Sequence, residues 1–275
     1  MICFPNAKIN LGLQIKKKRS DNYHDIETVF YPLELSDILE VIPFPGKEGD
    51  CRYSNTGITI ESEPGDNLCI RAWNEIAGIR EMPGTSIHLH KLIPPGAGMG
   101  GGSSDAAFTL MALNDLFNLG ISMRDLEKMA GRIGSDCPFF IRNRPVLATG
   151  RGEILEPAEV DLAGIDIMVM HPGIPVGSGW AYANVRIGDH PFSVAEIISR
   201  DFVEWQDSLK NDFEPLVFSN YPVVRHIKER MLSMGAFYSS MTGSGSAVFG
   251  LFDQEPDTGH MKKCFPGMFL WTGKL

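Results

Sequence analysis

The sixteen residues from Leu92 to Ala107 (LIPPGAGMGGGSSDAA) constrain the fold more than any other stretch. Five glycines, Gly96, Gly98, Gly100, Gly101 and Gly102, separate an alternating apolar run over 86–93, which reads as a strand, from Asp105–Leu119, which reads as a helix. Without side chains, such a segment can take positive φ and bring backbone N–H groups close to a ligand. Ser103 and Ser104 stand where a helix N-cap would be. Bare amides at a helix N-terminus form an anion site, and phosphate suits it best. A flexible glycine linker is the alternative, but the capped helix that follows argues against one.

Two familiar phosphate folds do not fit. Gly96-Ala97-Gly98-Met99-Gly100-Gly101 satisfies GxGxxG, a weak signal alone. The acid at the right distance for a ribose, Asp115, lies inside the helix that the loop opens rather than after a next strand. No GxxxxGK[ST] occurs, which excludes a P-loop. The loop therefore places phosphates on a helix N-terminus while obeying neither pattern.

Charge then bears on partners. The chain has 275 residues and a net charge of −9, which argues against nucleic acid or an anionic membrane surface. A polyanionic ligand must be held by local donors, so single lysines near the loop gain interest. Five scattered cysteines without a CxxC pair fit a reducing cytoplasm and no structural zinc. Lys8 interrupts the first apolar run and the basic cluster Lys16–Arg19 follows it, so no signal peptide is expected. No run of about 18 apolar residues predicts a membrane span.

Along the chain, residues 7–15 alternate strictly and predict a half-buried strand, with Lys8, Asn10, Gly12 and Gln14 on its polar face. Strands are predicted at 26–33, 37–43 and 57–61. Asp66 is the expected N-cap of a helix over 67–79. Helices are expected at 104–119, ending at Gly120, and at 123–133, capped by Ser122 and stopped by Gly134. Pro138 puts Asp136 in a turn or at the start of a new element. Residues 145–157 read as strand, glycine turn and strand. Beyond about 160 come a buried strand at 165–170, helices near 193–209 and 222–234, strands at 236–241 and 246–252, a helix near 256–264 and a strand at 267–272. This is β-α-β-β-α-β with an extra helix, the split order of ferredoxin-like domains. The domain boundary is expected between Glu156 and Gly164, giving domains 1–158 and 159–275.

Several residues invite a chemical reading. Met241-Thr242-Gly243-Ser244-Gly245-Ser246 joins two predicted strands, either as a tight hairpin or as a loop bare enough to approach a ligand or the first glycine loop. Asp136, flanked by small residues and a proline, is the best general-base candidate, though an Asp in a turn is ordinarily a turn-former. Lys8 and His24 could equally be a solvent-facing and a half-buried residue. His88 and His90 share a strand face without a third ligand at sensible spacing and are read as structural. Local spacing does not bring Lys8, the glycine loop and Asp136 together.

Three segments, Pro5–Asn10 (PNAKIN), Pro94–Ala107 (PPGAGMGGGSSDAA) and Met241–Gly245 (MTGSG), resemble the three motifs of the GHMP small-molecule kinases. Asn22-Tyr23-His24, Gly134–Phe140 (GSDCPFF), Gly150–Leu155 (GRGEIL) and His171-Pro172-Gly173, in that order, resemble the branch whose substrate is a methylerythritol carrying a diphosphocytidyl group. The likeness runs from about Cys3 to Phe252. Met99 stands where Leu is usual and Cys137 where a small aliphatic is common, and neither removes a functional group. The tail beyond Asp253 carries no recognised motif.

The resemblance implies a two-lobed α+β GHMP kinase fold. Its N-terminal lobe would be like the second domain of ribosomal protein S5, and its C-terminal lobe ferredoxin-like. It implies Asp136 as the base that takes the proton from a 2-hydroxyl. Lys8 would lower the pKa of Asp136 and stabilise charge on the transferring phosphoryl group. The loop Pro94, Gly96, Ala97, Gly98, Met99, Gly100, Gly101, Gly102, Ser103 and Ser104 would hold ATP phosphates bridged by Mg²⁺, and Asn67, Leu68 and Lys91 would line an adenosine pocket. Tyr23 and Tyr182, the latter near Ser178, would sandwich a cytosine whose edge bonds His24. Asn10 would contact the methylerythritol, and Thr242 and Gly243 would complete the substrate site. A cytoplasmic monomer or weak homodimer is expected. The rival readings are a homoserine- or mevalonate-type kinase, which needs no base-stacking pair, and a non-catalytic ligand sensor on the same fold, against which Lys8 and Asp136 together argue.

Overall fold

A computed structural model describes residues 1–59 and 67–275. The chain forms two compact units, and neither is continuous in sequence. The first comprises Met1–Ala7, Leu35–Pro95 and Gly100–Arg144, and the second Lys8–Glu34, Gly96–Met99 and Pro145–Leu275.

In the first unit, β1 (Ile2–Cys3), β4 (Ile38–Pro43), β5 (Cys51–Gly57) and β6 (Thr85–Lys91) make a sheet of order β1-β4-β6-β5, with β5 parallel to β6 and the other pairs antiparallel. Alternation along β6 buries Thr85, Ile87, Leu89 and Lys91 and turns Ser86, His88 and His90 outward. Four helices join this sheet: α1 (Leu68–Ala77), α2 (Gly101–Leu116), α3 (Met123–Ile133) and α4 (Cys137–Arg142). Helix α2 packs on the other three and on β4, burying Ala106, Ala107, Leu110 and Leu113. Small residues at 106 and 107 allow the close approach.

The expected helix caps are corrected here. Helix α2 starts about one turn earlier than its serines suggest: its N-cap is Gly100 at φ +70, and Ser103 and Ser104 lie inside the first turn. Only glycine enters that left-handed conformation without steric cost, so the backbone supplies the start that a serine side chain was expected to supply. The helix stops at Leu116 rather than 119. Helix α1 is capped by Asn67, whose Oδ1 accepts from the amides of Cys69 and Ile70. The strand expected at 57–61 lies earlier, as β5 ends at Gly57; Asp66, the expected cap, and residues 60 and 61 lie outside the described residues. Helix α3 has the expected bounds, with Ser122 accepting from the Asp125 amide.

The second unit holds two sheets. One is β2 (Asn6–Lys18), β3 (His24–Ser36), β7 (Val146–Thr149) and β8 (Ile154–Pro157), in that order. The other is β9 (Asp166–His171), β10 (Tyr238–Met241), β11 (Val248–Phe252) and β12 (Phe269–Lys274), ordered β10-β11-β9-β12 and antiparallel throughout. By rank this is 2-3-1-4, the ferredoxin-like arrangement that the element order predicts. The tail beyond Asp253 supplies α10 (Thr258–Cys264) and the edge strand β12. Its role is to cover the free edge of β9.

Two expectations for this unit are corrected. Strand β2 is buried on both faces: Lys8, Asn10 and Gln14 are 3%, 2% and 2% exposed. Its free edge is paired by Lys210–Asp212, where Leu13 N donates to Lys210 O and Asp212 N to Leu13 O, and its polar face meets Leu209 at Gly12, Phe192 O at Gln14 and Thr242 at Asn10. The helix expected over 193–209 is three short pieces, α6 (Val194–Ile198), a 3₁₀ turn (Phe202–Glu204) and α7 (Trp205–Ser208). Asp201 breaks the run by capping the 3₁₀ turn through the Val203 amide. Helices α5 (Ser178–Asn184) and α8 (Glu214–Asn220) precede and follow this region, and α9 (Pro222–Ser233) packs on β10 and β11.

Candidate active site

In the first unit, the glycine loop becomes the N-terminus of α2. Pro94 is buried, and Gly101 leaves no room for a side chain: a Cβ there would lie 2.9 Å from both Lys91 Nζ and Ile93 Cγ2. Gly102 sits against Leu68, to whose Cδ1 an added Cβ would come within 3.4 Å. These contacts bring Asn67 and Leu68 of the α1 start beside the first turn of α2, whose leading amides have no partner within the helix. Ser103 lies beside the Cys137 thiol, and burial pushes that thiol up to about 12. Asp136, half-buried, precedes it as the N-cap residue of α4, in helical conformation and with no side-chain capping bond. The Ser103–Cys137 contact thus places the residue after Asp136 against the first turn of α2. Ser104 Oγ is fully buried and has no hydrogen-bond partner among the described residues.

Lys91 is placed differently from a pocket-lining cation. It is 2% exposed, and its ammonium lies 2.5 Å from Asp37 Oδ2 and 2.7 Å from Asp105 Oδ2. Asp37 Oδ1 also accepts from the amides of Leu92 and Ile93. Burial and the Asp37 charge, opposed by Lys91, raise the Asp105 carboxyl to about 7. For Lys91, burial pulls the pKa down, but the two carboxylates outweigh it and the net shift is upward. The side chain of Lys91 is a tie between β6, the start of β4 and the start of α2. Whatever it presents to a nucleotide is backbone.

The second unit assembles Lys8, Asn10, Gly98, Thr242 and Gly243. Lys8 Nζ donates to Asn10 Oδ1 at 2.6 Å and to Gly98 O at 3.2 Å, and lies 4.8 Å from the centre of the Phe30 ring. Thr242 Oγ1 accepts from the Asn10 amide at 3.0 Å and faces Asn10 Oδ1 and Gly98 O, each at 3.2 Å. The stretch Gly96–Met99 is pinned by backbone bonds from Val176 N to Gly96 O, Ala247 N to Ala97 O and Lys8 N to Met99 O. Gly98, at φ +82, lies so close to the second glycine loop that a Cβ would be 2.1 Å from Thr242 O. Both readings of Met241–Ser246 hold: the segment closes the antiparallel β10–β11 hairpin, with Thr242 N donating to Ala247 O, and it also approaches the first glycine loop.

Tyr23, His24 and Tyr182 also share the second unit. Tyr23 is 53% exposed, with its ring 4.7 Å from the Arg151 guanidinium. His24 is buried, its ring stacked on Tyr182 at 5.4 Å and 23°, and Nδ1 has no partner among the described residues. Burial and then Lys18 hold its pKa below the usual histidine value, so the neutral ring has one nitrogen to offer. Tyr182 also meets the edge of Phe213 at 4.9 Å. Ser178 is exposed at the start of α5. His88 and His90 bond to Ser54 and Thr56 on the outward face of the first sheet, and no group of three or more His, Cys, Asp and Glu that could hold a metal ion occurs among the described residues. No helix among them is long and apolar enough to cross a membrane.

The sequence reading missed Asn211, Glu214 and Arg151. Asn211 donates from Nδ2 to Met241 O at 2.7 Å and Gly243 O at 2.9 Å, and Glu214 Oε1 accepts from the Met241 amide at 2.9 Å. The available signal was Asn211-Asp212-Phe213-Glu214, polar residues around a phenylalanine just before the apolar run Leu216–Phe218.

Residues 67–144 match the GHMP kinases N terminal domain and 193–260 the GHMP kinases C terminal domain. The chain is 45% identical to a 4-diphosphocytidyl-2-C-methyl-D-erythritol kinase of Parabacteroides distasonis over 275 residues, covering 100% of both chains. It is 46% identical to the protein of that name in Bacteroides thetaiotaomicron, covering 97% of this chain and 99% of the relative. A crystal structure of 4-(cytidine 5'-diphospho)-2C-methyl-D-erythritol kinase matches with a TM-score of 0.80 at 33% identity, over 99% of this chain and 98% of that one. The Methanococcus jannaschii mevalonate kinase matches at 0.76 with 13% identity, over 100% and 98%, a likeness of fold alone.

Proposed function

The chain belongs to the 4-diphosphocytidyl-2-C-methyl-D-erythritol kinases of the GHMP kinase superfamily, and we propose that it transfers the γ-phosphoryl group of ATP to the 2-hydroxyl of 4-diphosphocytidyl-2-C-methyl-D-erythritol, a step of the non-mevalonate route to isoprenoid precursors. The end-to-end identity of 45% to a curated relative of that name carries this reading.

Phosphoryl transfer asks little covalent chemistry of the protein, and positioning with charge stabilisation is most of it. The free amides at the start of α2, with the residues Pro94–Ser104, suit the nucleotide's phosphates. Asn67, Leu68 and the backbone at Lys91 are suited to its adenosine end. Mg²⁺ takes oxygen ligands and commonly binds through substrate phosphates with few protein groups. The hydroxyls of Ser103 and Ser104 are hard oxygen donors on the first turn of α2, and the orphaned Ser104 Oγ fits a site that receives such a ligand.

In the transfer, Asp136 takes the proton of the substrate's 2-hydroxyl as its oxygen forms a bond to Pγ. The bond from Pγ to the β-bridging oxygen breaks and ADP leaves. Lys8, a buried ammonium held by two oxygen acceptors, stabilises charge on the moving phosphoryl group. Asn10, Ser178, Thr242 and Gly243 contact the alcohol substrate. Tyr23 and Tyr182 provide ring faces for the cytosine, and His24 Nδ1, buried and without a partner, bonds its edge.

An ATP-coupled assay comparing the diphosphocytidyl substrate with homoserine and mevalonate tests the assignment. Turnover of the first alone is expected, and equal use of either rival would overturn it. Asp136→Asn should lower kcat by about 10²–10⁴-fold while both ligands still bind. Near-normal turnover in that variant would refute the base.

A further inference from the structure

Lys8 is held by two oxygen acceptors, Asn10 Oδ1 and Gly98 O, and Thr242 Oγ1 faces both of them. Thr242 therefore helps to set where the ammonium points, together with Thr28 Oγ1, which accepts from Asn10 Nδ2 at 3.0 Å. Thr242 sits in the turn between β10 and β11, where its amide donates to Ala247 O at 2.9 Å and its carbonyl accepts from Gly245 N at 3.1 Å, bonds that close the turn but do not set its distance from β2. Asn211 does. Its amide nitrogen donates to the carbonyls of Met241 and Gly243, the residues on either side of Thr242, while its Oδ1 accepts from the Phe213 amide at 2.9 Å. All of these contacts are buried, and Asn211 is 2% exposed.

Asn211 is itself fixed to the strand that carries Lys8. It pairs with Leu13 in a parallel bridge, flanked by the bonds from Leu13 N to Lys210 O and from Asp212 N to Leu13 O. Asn211 is thus one link in a closed circuit, from β2 at Leu13 through Asn211 to the Met241–Gly243 turn and back through Thr242 to Asn10 on β2. A loop gripped on both sides by a residue anchored to that same strand cannot drift relative to it.

We propose that Asn211 is a positioning residue for phosphoryl transfer, setting the depth of the Met241–Gly243 turn so that Thr242 holds the two acceptors of Lys8. This rests on the reading of Lys8 as the charge-stabilising group. A side chain fulfilling that role needs both amide protons. Aspartate has the same shape and keeps the Phe213 contact, but it cannot donate to two carbonyls.

The test compares Asn211→Ala, Asn211→Asp, Thr242→Ala, the Asn211→Ala/Thr242→Ala pair and Lys8→Ala in steady-state kinetics with ATP and the diphosphocytidyl substrate, together with thermal melts. Asn211→Ala and Asn211→Asp should each lower kcat by about 100-fold, the size expected for an ångström-scale misplacement, with both KM values within about 3-fold of the parent. In the Thr242→Ala background, Asn211→Ala should add less than about 3-fold, because the two changes break the same link. A loss equally large in that background, or one confined to KM, would overturn the proposal. If Lys8→Ala abolishes turnover and the Asn211 variants are as active as the parent, the positioning role alone fails. If Lys8→Ala stays active, the reading of Lys8 fails and the positioning role falls with it. Should Asn211→Ala not fold, Asn211→Asp is judged by the same criteria, in both backgrounds.

Discussion

Replacing Lys91 with methionine keeps the length of the side chain and removes its charge, which makes it a sharp test of the buried tie in the first unit. In the parent, one ammonium faces Asp37 and Asp105 at 2.5 and 2.7 Å, with the lysine 2% exposed. Without it, two carboxylates are left in the same dry space. Asp37 keeps the Leu92 and Ile93 amides, but Asp105 loses its lysine, and its Oδ1 already has no hydrogen-bond partner among the described residues. Stranding one buried charge costs about 3–5 kcal/mol. At about 2–4 °C per kcal/mol for a domain of 150–250 residues, that is a fall in Tm of about 6–20 °C. The deficit should also depend on pH. The Asp105 carboxyl is raised to about 7 in the fold from an ordinary 3.8, so the native state binds more protons than the unfolded chain between those values. Stability then declines as pH rises from about 4 towards 7. Without Lys91 the folded-state pKa climbs further, so the variant's deficit should be larger at pH 8 than at pH 6. Adding Asp105→Asn to the variant removes one stranded charge and should recover part of the loss. Scanning calorimetry at both pH values reads all of this. A deficit below about 3 °C at pH 8, or one indifferent to pH, would refute the view of the triad as a mutually dependent buried cluster.

Three further expectations can be checked alongside it. Gly98→Ala places a methyl group 2.1 Å from Thr242 O on a backbone at φ +82, so kcat should fall by about 100-fold or more, and parent-like turnover would mean the two glycine loops do not need this approach. His24→Ala should raise KM for the diphosphocytidyl substrate while leaving KM for ATP unchanged; equal effects on both would remove His24 from cytosine recognition. Deleting residues 269–275 strips β12 from β9 and also the paired bonds between Leu275 and Gly164 and Ile165. The exposed β9 edge should make the product aggregate, as light scattering would show, and a soluble, fully active product would contradict the closing role of this strand.

What was legible in the sequence follows physical range. The period-two alternation of β6 and the Ser122–Gly134 limits of α3 are local, and both stand as expected. The ferredoxin-like order was readable because each strand there is a short apolar run bounded by turns. The start of α2 was misplaced because Gly100 serves as N-cap through its backbone, a competence that composition does not display. Strand β2 read as half-buried because nothing near it announces Phe192, Leu209 and Thr242, about two hundred residues on, which meet its polar face. Lys91 looked like a pocket cation for the same reason: its partners Asp37 and Asp105 lie 54 and 14 residues away. Resemblance identified Lys8 as important, but the Thr242 and Asn211 contacts that orient it appear only in three dimensions.

The interleaving of the two units has a consequence for the order in which the chain can fold during synthesis. All segments of the first unit have been made once residue 144 has left the ribosome. The second begins with Lys8 and closes only when β12 has been added beside β9. Its earliest strands, β2 and β3, must therefore wait through the production of most of the protein, with apolar residues such as Ile15, Ile26 and Phe30 uncovered for longest. Domains usually fold as units in the order of synthesis, and here that rule predicts that the middle of the sequence gains protease resistance before its beginning. Limited proteolysis of nascent chains of increasing length would reveal the inversion, and protection of residues 8–34 in a chain truncated near residue 160 would contradict it.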